Sequence, residues 1–132
     1  NCIKADYIFM AAAVADYMPP QSLKMKMKRS NKALKLDLIP APDIIKSIQD
    51  KTSAVITAFA LETHNGEKEA KRKIKQKRAD FIVLNYANEK GAGFDSNTNR
   101  ATIFRKNGES RELKKDRKDR IAKKIIKYII NS

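Results

Sequence analysis

The apolar positions of this chain fall into two kinds of pattern. Three stretches are nearly unbroken: Tyr7–Val14 (YIFMAAAV), Ala54–Ala60 (AVITAFA) and the run inside Asp80–Leu84 (DFIVL). With apolar residues on both faces over the length of a strand, they predict buried parallel strands. Elsewhere the apolar positions recur at intervals. Leu34, Leu36 and Leu38 alternate with Lys35 and Asp37, the period of a half-buried strand. Ile121, Ile125 and Tyr128, joined by Ile126 and Ile129, fall at helical spacing and predict an amphipathic closing helix over residues 116–130. A second helix, over residues 67–78, is dense in charge, and its inward stripe would be Ala70, Lys73, Ile74 and Lys77.

Turn residues divide these segments. Pro19-Pro20 ends the first run. Pro42 suits a first helical position with Asp43 in the first turn, which predicts a helix over residues 42–50. A loop carrying Gly91 and Gly93 runs into FDSNTN. Asn107-Gly108 lies between Ala101–Arg105 and Ser110–Leu113 and predicts a hairpin. Strands alternating with helices imply an α/β fold: a Rossmann-like, mostly parallel sheet flanked by helices. Residues 24–29 stand apart from it. In an extended ribbon Lys24, Lys26 and Lys28 share one side and Met25 and Met27 the other. Paired with the strand at 34–38, that ribbon would form a protruding β arm over about residues 20–40. One domain over residues 1–132 accounts for the whole chain, which opens on Asn1 and enters a strand almost at once, as an N-terminally truncated domain would.

Composition adds a partner class. The net charge is +14, from 29 Lys+Arg against 15 Asp+Glu, while 42% of residues are hydrophobic. A folded chain with that field attracts phosphate, whether on nucleotides, nucleic acid or lipid headgroups, although charge kept for solubility explains the excess equally well. A single cysteine, Cys2, excludes an internal disulfide and fits a reducing, cytoplasmic compartment. His64, the only histidine, has no partners for a zinc site. No stretch reaches the roughly 20 apolar residues of a membrane span.

Candidate chemistry follows from the fold. Ligands of open α/β sheets bind beyond the carboxyl ends of the strands. Asp16-Tyr17 follow the first strand, Phe59 and Glu62-Thr63 close the second, and Asn85 follows the third. Singly, Asp16 serves as a turn cap and Phe59 as core; together they suggest one functional edge. Lys73 and Lys77, on the inward stripe of a helix, either snorkel past the core or aim two ammonium groups at a polyphosphate. The backbone N–H groups opening the helix at Pro42-Asp43 are donors for a ligand, and Asp43 favours a neutral base edge over a phosphate there. Neither GxGxxG nor a Walker lysine loop is present.

In order along the chain, AAVADYMP (12–19), KMKR (26–29), PDI (42–44), AFALET (58–63), KRADFIVLN (77–85) and GFDSNTN (93–99) resemble the phosphopantothenoylcysteine synthetase domain of coenzyme A biosynthesis, over essentially the whole chain. The resemblance implies a CTP-dependent ligase. CTP would activate the carboxylate of 4'-phosphopantothenate as an acyl-cytidylate, and the amine of cysteine would displace CMP, with Mg2+ assisting and FMN confined to a fused decarboxylase domain. It implies a homodimer contacting through the 20–40 arm. It also implies site roles. Met10, Ala11, Ala12 and Asp16 would line the nucleotide site, and Lys26 would be catalytic, acting on the reacting phosphate. Ala41, Pro42, Asp43 and Ile44 would meet the cytosine, and Phe59, Lys73 and Lys77 would complete the CTP site; the metal ligands stay unassigned. Ala41 stands where the family usually has Asn, Arg29 replaces the ribbon's last lysine, and Leu61 replaces a usual alanine. The family's glycine-rich first turn and asparagine-bearing segment have no counterpart here, so the expectation is CTP binding without complete ligation. The competing class is a non-catalytic nucleic-acid-binding module, which rests on charge alone: Tyr7, Tyr17 and Phe59 form no stacking platform by sequence.

Overall fold

The computed structural model of the chain describes residues 4–21, 25–29, 31, 33–62, 66–86 and 97–132; Cys2, Lys24, Thr63, His64, Gly91 and Gly93, on which the sequence raised expectations, lie outside them. Seven strands and three helices follow in order among the described residues: β1 (Tyr7–Met10), β2 (Tyr17–Met18), β3 (Ile39–Pro40), α1 (Ile44–Ile48), β4 (Val55–Glu62), α2 (Gly66–Lys77), β5 (Phe81–Tyr86), β6 (Thr98–Arg105), β7 (Ser110–Arg117) and α3 (Lys118–Ile130). A 3-10 turn, Gln49–Lys51, extends α1.

Five strands form one sheet in the order β1-β4-β5-β6-β7. β1, β4 and β5 are parallel, whereas β6 and β7 run antiparallel to their neighbours. The parallel half arises as expected, because α2 carries the chain from the end of β4 back to the start of β5. The antiparallel half is the hairpin at Asn107-Gly108. Gly108 adopts φ +95, and the Asn107 side chain accepts the Glu109 N–H at 3.0 Å, so the turn supplies its own geometry.

Alternation along the strands divides the core in two. Ile8, Met10, Ile56, Ala58, Ala60, Ile82 and Leu84 face α1 and α2, meeting Ile45, Ala70 and Ile74. Phe9, Val55, Phe59, Phe81, Val83 and Ile103 face α3, meeting Ile121, Ile125 and Ile129. The alanines on β4 and α2 let helix and sheet approach closely. The predicted inward stripe of α2 is correct: Ala70 and Ile74 are buried, and Lys73 and Lys77 half-buried.

Three expectations are corrected. The apolar run Tyr7–Val14 is a strand only to Met10, at the edge of the sheet. Ala11 donates its N–H to the Phe9 carbonyl at 3.2 Å and Val14 donates to Ala12 at 3.1 Å, so tight turns in an alanine-rich segment of low strand preference end the ladder. The arm at 20–40 is not a β arm. Only its base is paired, Tyr17 with Pro40 and Met18 with Ile39, and no described residue of 19–38 is in a strand. Its alternating Met25, Met27, Leu34, Leu36 and Leu38 are all exposed, Met25 by 83%; a two-stranded ribbon with no core beneath it gains too little to hold a ladder. Finally, Pro42 is not helical. Asp43 caps α1 from outside, accepting the Lys46 N–H at 3.2 Å, and the helix begins at Ile44.

Candidate functional site

The register of the parallel strands creates the feature on which a site can be built. β1 is last paired at Met10, opposite Ala58, while β4 runs on to Glu62 beside β5. From Phe59 onward the β4 edge toward β1 therefore has no strand partner. This open step lies at the carboxyl end of the parallel strands, where ligands of α/β sheets bind.

The chain leaving β1 turns back onto this edge. The Asp16 carbonyl accepts the Ala41 N–H at 2.8 Å, immediately beside the β2–β3 ladder. One backbone bond thereby joins two segments that sequence reading singled out separately, Asp16 and residues 41–44. Asp43 is occupied as the cap: its carboxylate takes the Lys46 N–H, and its carbonyl accepts the Ser47 N–H at 3.1 Å. Fewer free donors face a ligand at this helix start than the sequence suggested. Ile45 inserts into the core on the α1/α2 face, which anchors the corner on the same face as Met10.

α2 supplies charge to that face. Its first residue, Gly66, is pressed against β5: a Cβ there would meet Leu84 Cδ2 at 2.7 Å and Tyr86 Cε1 at 3.2 Å. The helix thus starts directly behind the carboxyl edge. Lys73 reaches back along the helix, as long side chains do, and its Nζ lies 2.5 Å from Glu62 Oε1 at the end of β4. Both side chains are half-buried, 29% exposed for Lys73 and 19% for Glu62. Lys77 is one turn further from the edge and has no ion-pair partner among the described residues. The other α2 cations expected to be solvated are so: Lys71 pairs with Glu67 and Arg72 with Glu69 at the surface. The Arg72 guanidinium, hydrogen-bonded to Glu69, holds that carboxyl below the usual glutamate range.

Phe59 and Asn85 are brought to the carboxyl edge but on the opposite face. Both line a cavity of about 330 Å³ beneath the first half of α3, together with Phe9, Asn99, Lys118 and Ile121. Asn99 Nδ2 donates to Asn85 Oδ1 at 3.1 Å and Asn99 Oδ1 accepts the Arg100 N–H at 2.9 Å. The expected single convergence of Asp16, Phe59, Asn85 and the two lysines therefore divides: Met10, residues 41–44, Lys73 and Lys77 stand on one side of the sheet, and the Phe59 and Asn85 side chains on the other. Phe59 can serve the first side only through its main chain along the open β4 step. The Ala11 and Ala12 side chains are exposed at the end of β1, and Lys26 is exposed on the arm.

Sequence reading missed two pairings. For Glu62 the available signal is an acid ending a strand that is otherwise free of charge. For Asn99 only the register of β6 reveals that it meets Asn85. Among the described residues no group of three or more His, Cys, Asp and Glu converges as a metal cage. Among the described residues Asp16, Asp43 and Glu62 are acids of this edge, and the last two are already engaged. Such a set suits an ion arriving on a polyphosphate, which asks for one or two protein oxygens, better than a standing site.

Comparison with known proteins agrees with this architecture. The chain is similar to the coenzyme A biosynthesis bifunctional protein CoaBC of Bacillus subtilis, with 38% identity over 110 residues, 83% of the chain and 27% of that protein. It is also similar to a protein named cysteine/cysteine sulfinic acid decarboxylase from an unknown prokaryotic organism, at 35% identity over 96% of the chain and 36% of that protein. The chain thus spans about a third of the length of these curated relatives. Among solved structures, the C-terminal domain of a CoaBC protein superposes with a TM-score of 0.71 at 33% identity, covering 94% of this chain and 55% of that one. The profile of one family matches residues 1–132 throughout. By that match and by the identity of its relatives, the chain belongs to the DNA/pantothenate metabolism flavoprotein C-terminal domain family.

Proposed function

We propose that this chain forms the CTP-binding part of a phosphopantothenate–cysteine ligase. The reaction joins the carboxylate of 4'-phosphopantothenate to the α-phosphate of CTP, releasing pyrophosphate, and the cysteine amine then displaces CMP. The observation that carries this reading is the Asp16–Ala41 bond, which sets the DY and PDI segments together on the face where Lys73 stands. A base would be read by the polar main chain of residues 41–44, and the ribose and phosphates would lie along the open step of β4 toward α2.

Bringing a carboxylate onto a phosphorus that carries other anionic oxygens requires fixed positive charge where negative charge accumulates. Lys26 is suited to this task because the arm that bears it emerges from the ladder at the Asp16–Ala41 corner. Closing over bound reactants, the arm would exclude water from a hydrolysable acyl-nucleotide. Magnesium would enter as the counter-ion of the triphosphate, with Asp16 as the available protein oxygen on this edge. The exposed Met25, Met27, Leu34, Leu36 and Leu38 favour a second copy of the chain as the arm's cover, so a homodimer is part of the proposal. Its setting is the reducing cytoplasm, consistent with a chain whose one cysteine allows no internal disulfide.

Thermal shift tests the assignment. CTP at about 100 times its dissociation constant stabilises a binding protein by about 2.7 kcal/mol, several degrees in melting temperature. The expected order is CTP above ATP, with an oligonucleotide giving least at 0.15 M salt. Stabilisation by oligonucleotide that falls steeply with salt, with no preference for CTP, would replace the ligase reading with a nucleic-acid-binding one.

A further inference from the structure

Glu62 stands in the wrong place for an anion site. It is the only ionisable residue of β4 (VITAFALE), it ends the strand at the ligand-binding edge, and its carboxylate is in contact with the ammonium group expected to hold phosphate. The pair is also unlike its neighbours on α2. Lys71–Glu67 and Arg72–Glu69 lie within a helix and at the surface, whereas Lys73–Glu62 joins helix to strand and is more buried on both partners. An ammonium group neutralised in this way offers little attraction to an incoming polyphosphate until its partner is displaced.

Building on the ligase reading, we propose that Glu62 is a resident counter-ion for Lys73, exchanged for a phosphate of the nucleotide on binding, and that this exchange sets nucleotide affinity. In the free protein the carboxylate prevents a desolvated, unpaired ammonium group and holds it aimed at the carboxyl edge. When the polyphosphate arrives, Lys73 transfers its hydrogen bond from Glu62 Oε1 to a phosphate oxygen, and Glu62 turns to solvent. No bond is made or broken; one ion pair replaces another. Glu62 is thus a positioning residue that weakens binding. An affinity reduced by a resident anion favours release of pyrophosphate and CMP, both of which leave the same cations.

A purely structural role, pinning α2 to the end of β4, predicts the opposite of what exchange predicts. Glu62→Gln keeps the shape and an oxygen that accepts from Lys73, but removes the competing charge. The expected result is CTP binding about tenfold tighter by calorimetry, with inorganic tripolyphosphate following the same trend, because the effect lies in the phosphates and not the base. Lys73→Met should weaken CTP binding about tenfold or more. In the double variant Glu62→Gln/Lys73→Met the gain should vanish, since its route is through Lys73. Melting curves of all three establish that each is folded; should Glu62→Gln unfold, Glu62→Asp, whose shorter side chain reaches Lys73 less well, gives the same sign with a smaller gain. Unchanged or weaker CTP binding in Glu62→Gln, with Lys73→Met still impaired, overturns the exchange and leaves the ligase reading intact. An equal gain in the double variant overturns it too, as it would mean simple repulsion independent of Lys73. Unimpaired binding in Lys73→Met removes Lys73 from the nucleotide site and overturns the exchange, while absence of CTP binding in the parent protein is what would overturn the ligase reading.

Discussion

Asp80 offers the sharpest test of how the sheet is held, because it works at the end of the strands opposite the proposed site. Its Oδ2 accepts the Ile56 N–H at 2.9 Å, its own N–H donates to the Ile56 carbonyl at 2.9 Å, and its carbonyl accepts the Lys106 N–H at 3.0 Å. Its Oδ1 also contacts Lys106 Nζ. The Asp80 side chain therefore ties the start of β4 to the start of β5, and the hairpin to both. Asp80→Ala leaves the N–H of buried Ile56 without an acceptor, a loss of about 2 kcal/mol. The ion pair adds little, because Lys106 is 68% exposed. At about 2.1 cal/mol/K per residue, the unfolding entropy of 132 residues is about 0.28 kcal/mol/K, so the expected fall in melting temperature is about 7 °C. Asp80→Asn retains the acceptor and should fall by no more than about 3 °C. Calorimetry reads both values, and CTP binding at the carboxyl edge should be unchanged in each. A melting temperature within 2 °C of the parent for Asp80→Ala would refute the claim that this carboxylate satisfies the Ile56 amide.

Other consequences are equally direct. Lys26→Ala should leave the melting curve unchanged, since the residue is exposed and outside any element, yet abolish pyrophosphate release in the intact ligase; normal turnover would remove the arm from the mechanism. Thr57 is fully buried and its hydroxyl has no hydrogen-bond partner among the described residues, so Thr57→Val, equal in shape, should stabilise the fold by about 1 kcal/mol, and a loss of that size in chemical denaturation would mean that the hydroxyl is bonded after all. Gly66→Ala drives a methyl group into Leu84 Cδ2 and should cost about 1–3 kcal/mol by the same assay; a neutral result would show that the start of α2 can retreat from β5. Asp116 accepts from Lys124 and from the Arg117 N–H, which holds its carboxyl below the ordinary aspartate range. Its contribution is therefore present above that range and lost as pH falls below about 4, so Asp116→Asn should lower the melting temperature at pH 7 and converge with the parent near pH 2.

The parts of the fold legible in the sequence are those fixed by local pattern. Asn107-Gly108 specified its hairpin because only a residue tolerant of positive φ fits that turn. The α2 stripe was legible because Ala70 and Ile74 lie one turn apart, and the stripe of α3 for the same reason. Illegible parts depended on partners distant in the chain. YIFMAAAV looks like one strand, yet its length is decided by where β4 offers a partner and where Ala11 turns. The 24–28 and 34–38 alternations look like strands, yet alternation specifies a strand only when one face has something to cover it. The site was legible residue by residue and illegible in its sidedness. Phe59 and Glu62 are three positions apart on β4 and so project to opposite faces, a parity that assigns Phe59 to α3 and Glu62 to α2. That parity could have been counted in advance; the Lys73–Glu62 contact across the β4–α2 connection could not.

The charge of the carboxyl edge now has a different distribution from the one composition suggests. A net charge of +14 invites the picture of a standing cluster of free cations, but the cation best placed on the sheet, Lys73, is already neutralised by Glu62. Lys26, Lys28 and Arg29, on the arm, are among the exposed cations with no ion-pair partner among the described residues. A fixed cluster of unpaired ammonium groups would pay for its own desolvation in every unliganded molecule. Placing the unpaired charge on an exposed arm and the buried charge in a pair avoids that cost, and delivers positive potential only when reactants and arm are together. Under the two proposals, affinity and catalysis would be governed by different residues: the Glu62–Lys73 exchange would set how tightly the nucleotide is held, and Lys26 how fast the held nucleotide reacts. A substitution at one should therefore move binding and turnover independently, which a single standing cluster of cations would not permit.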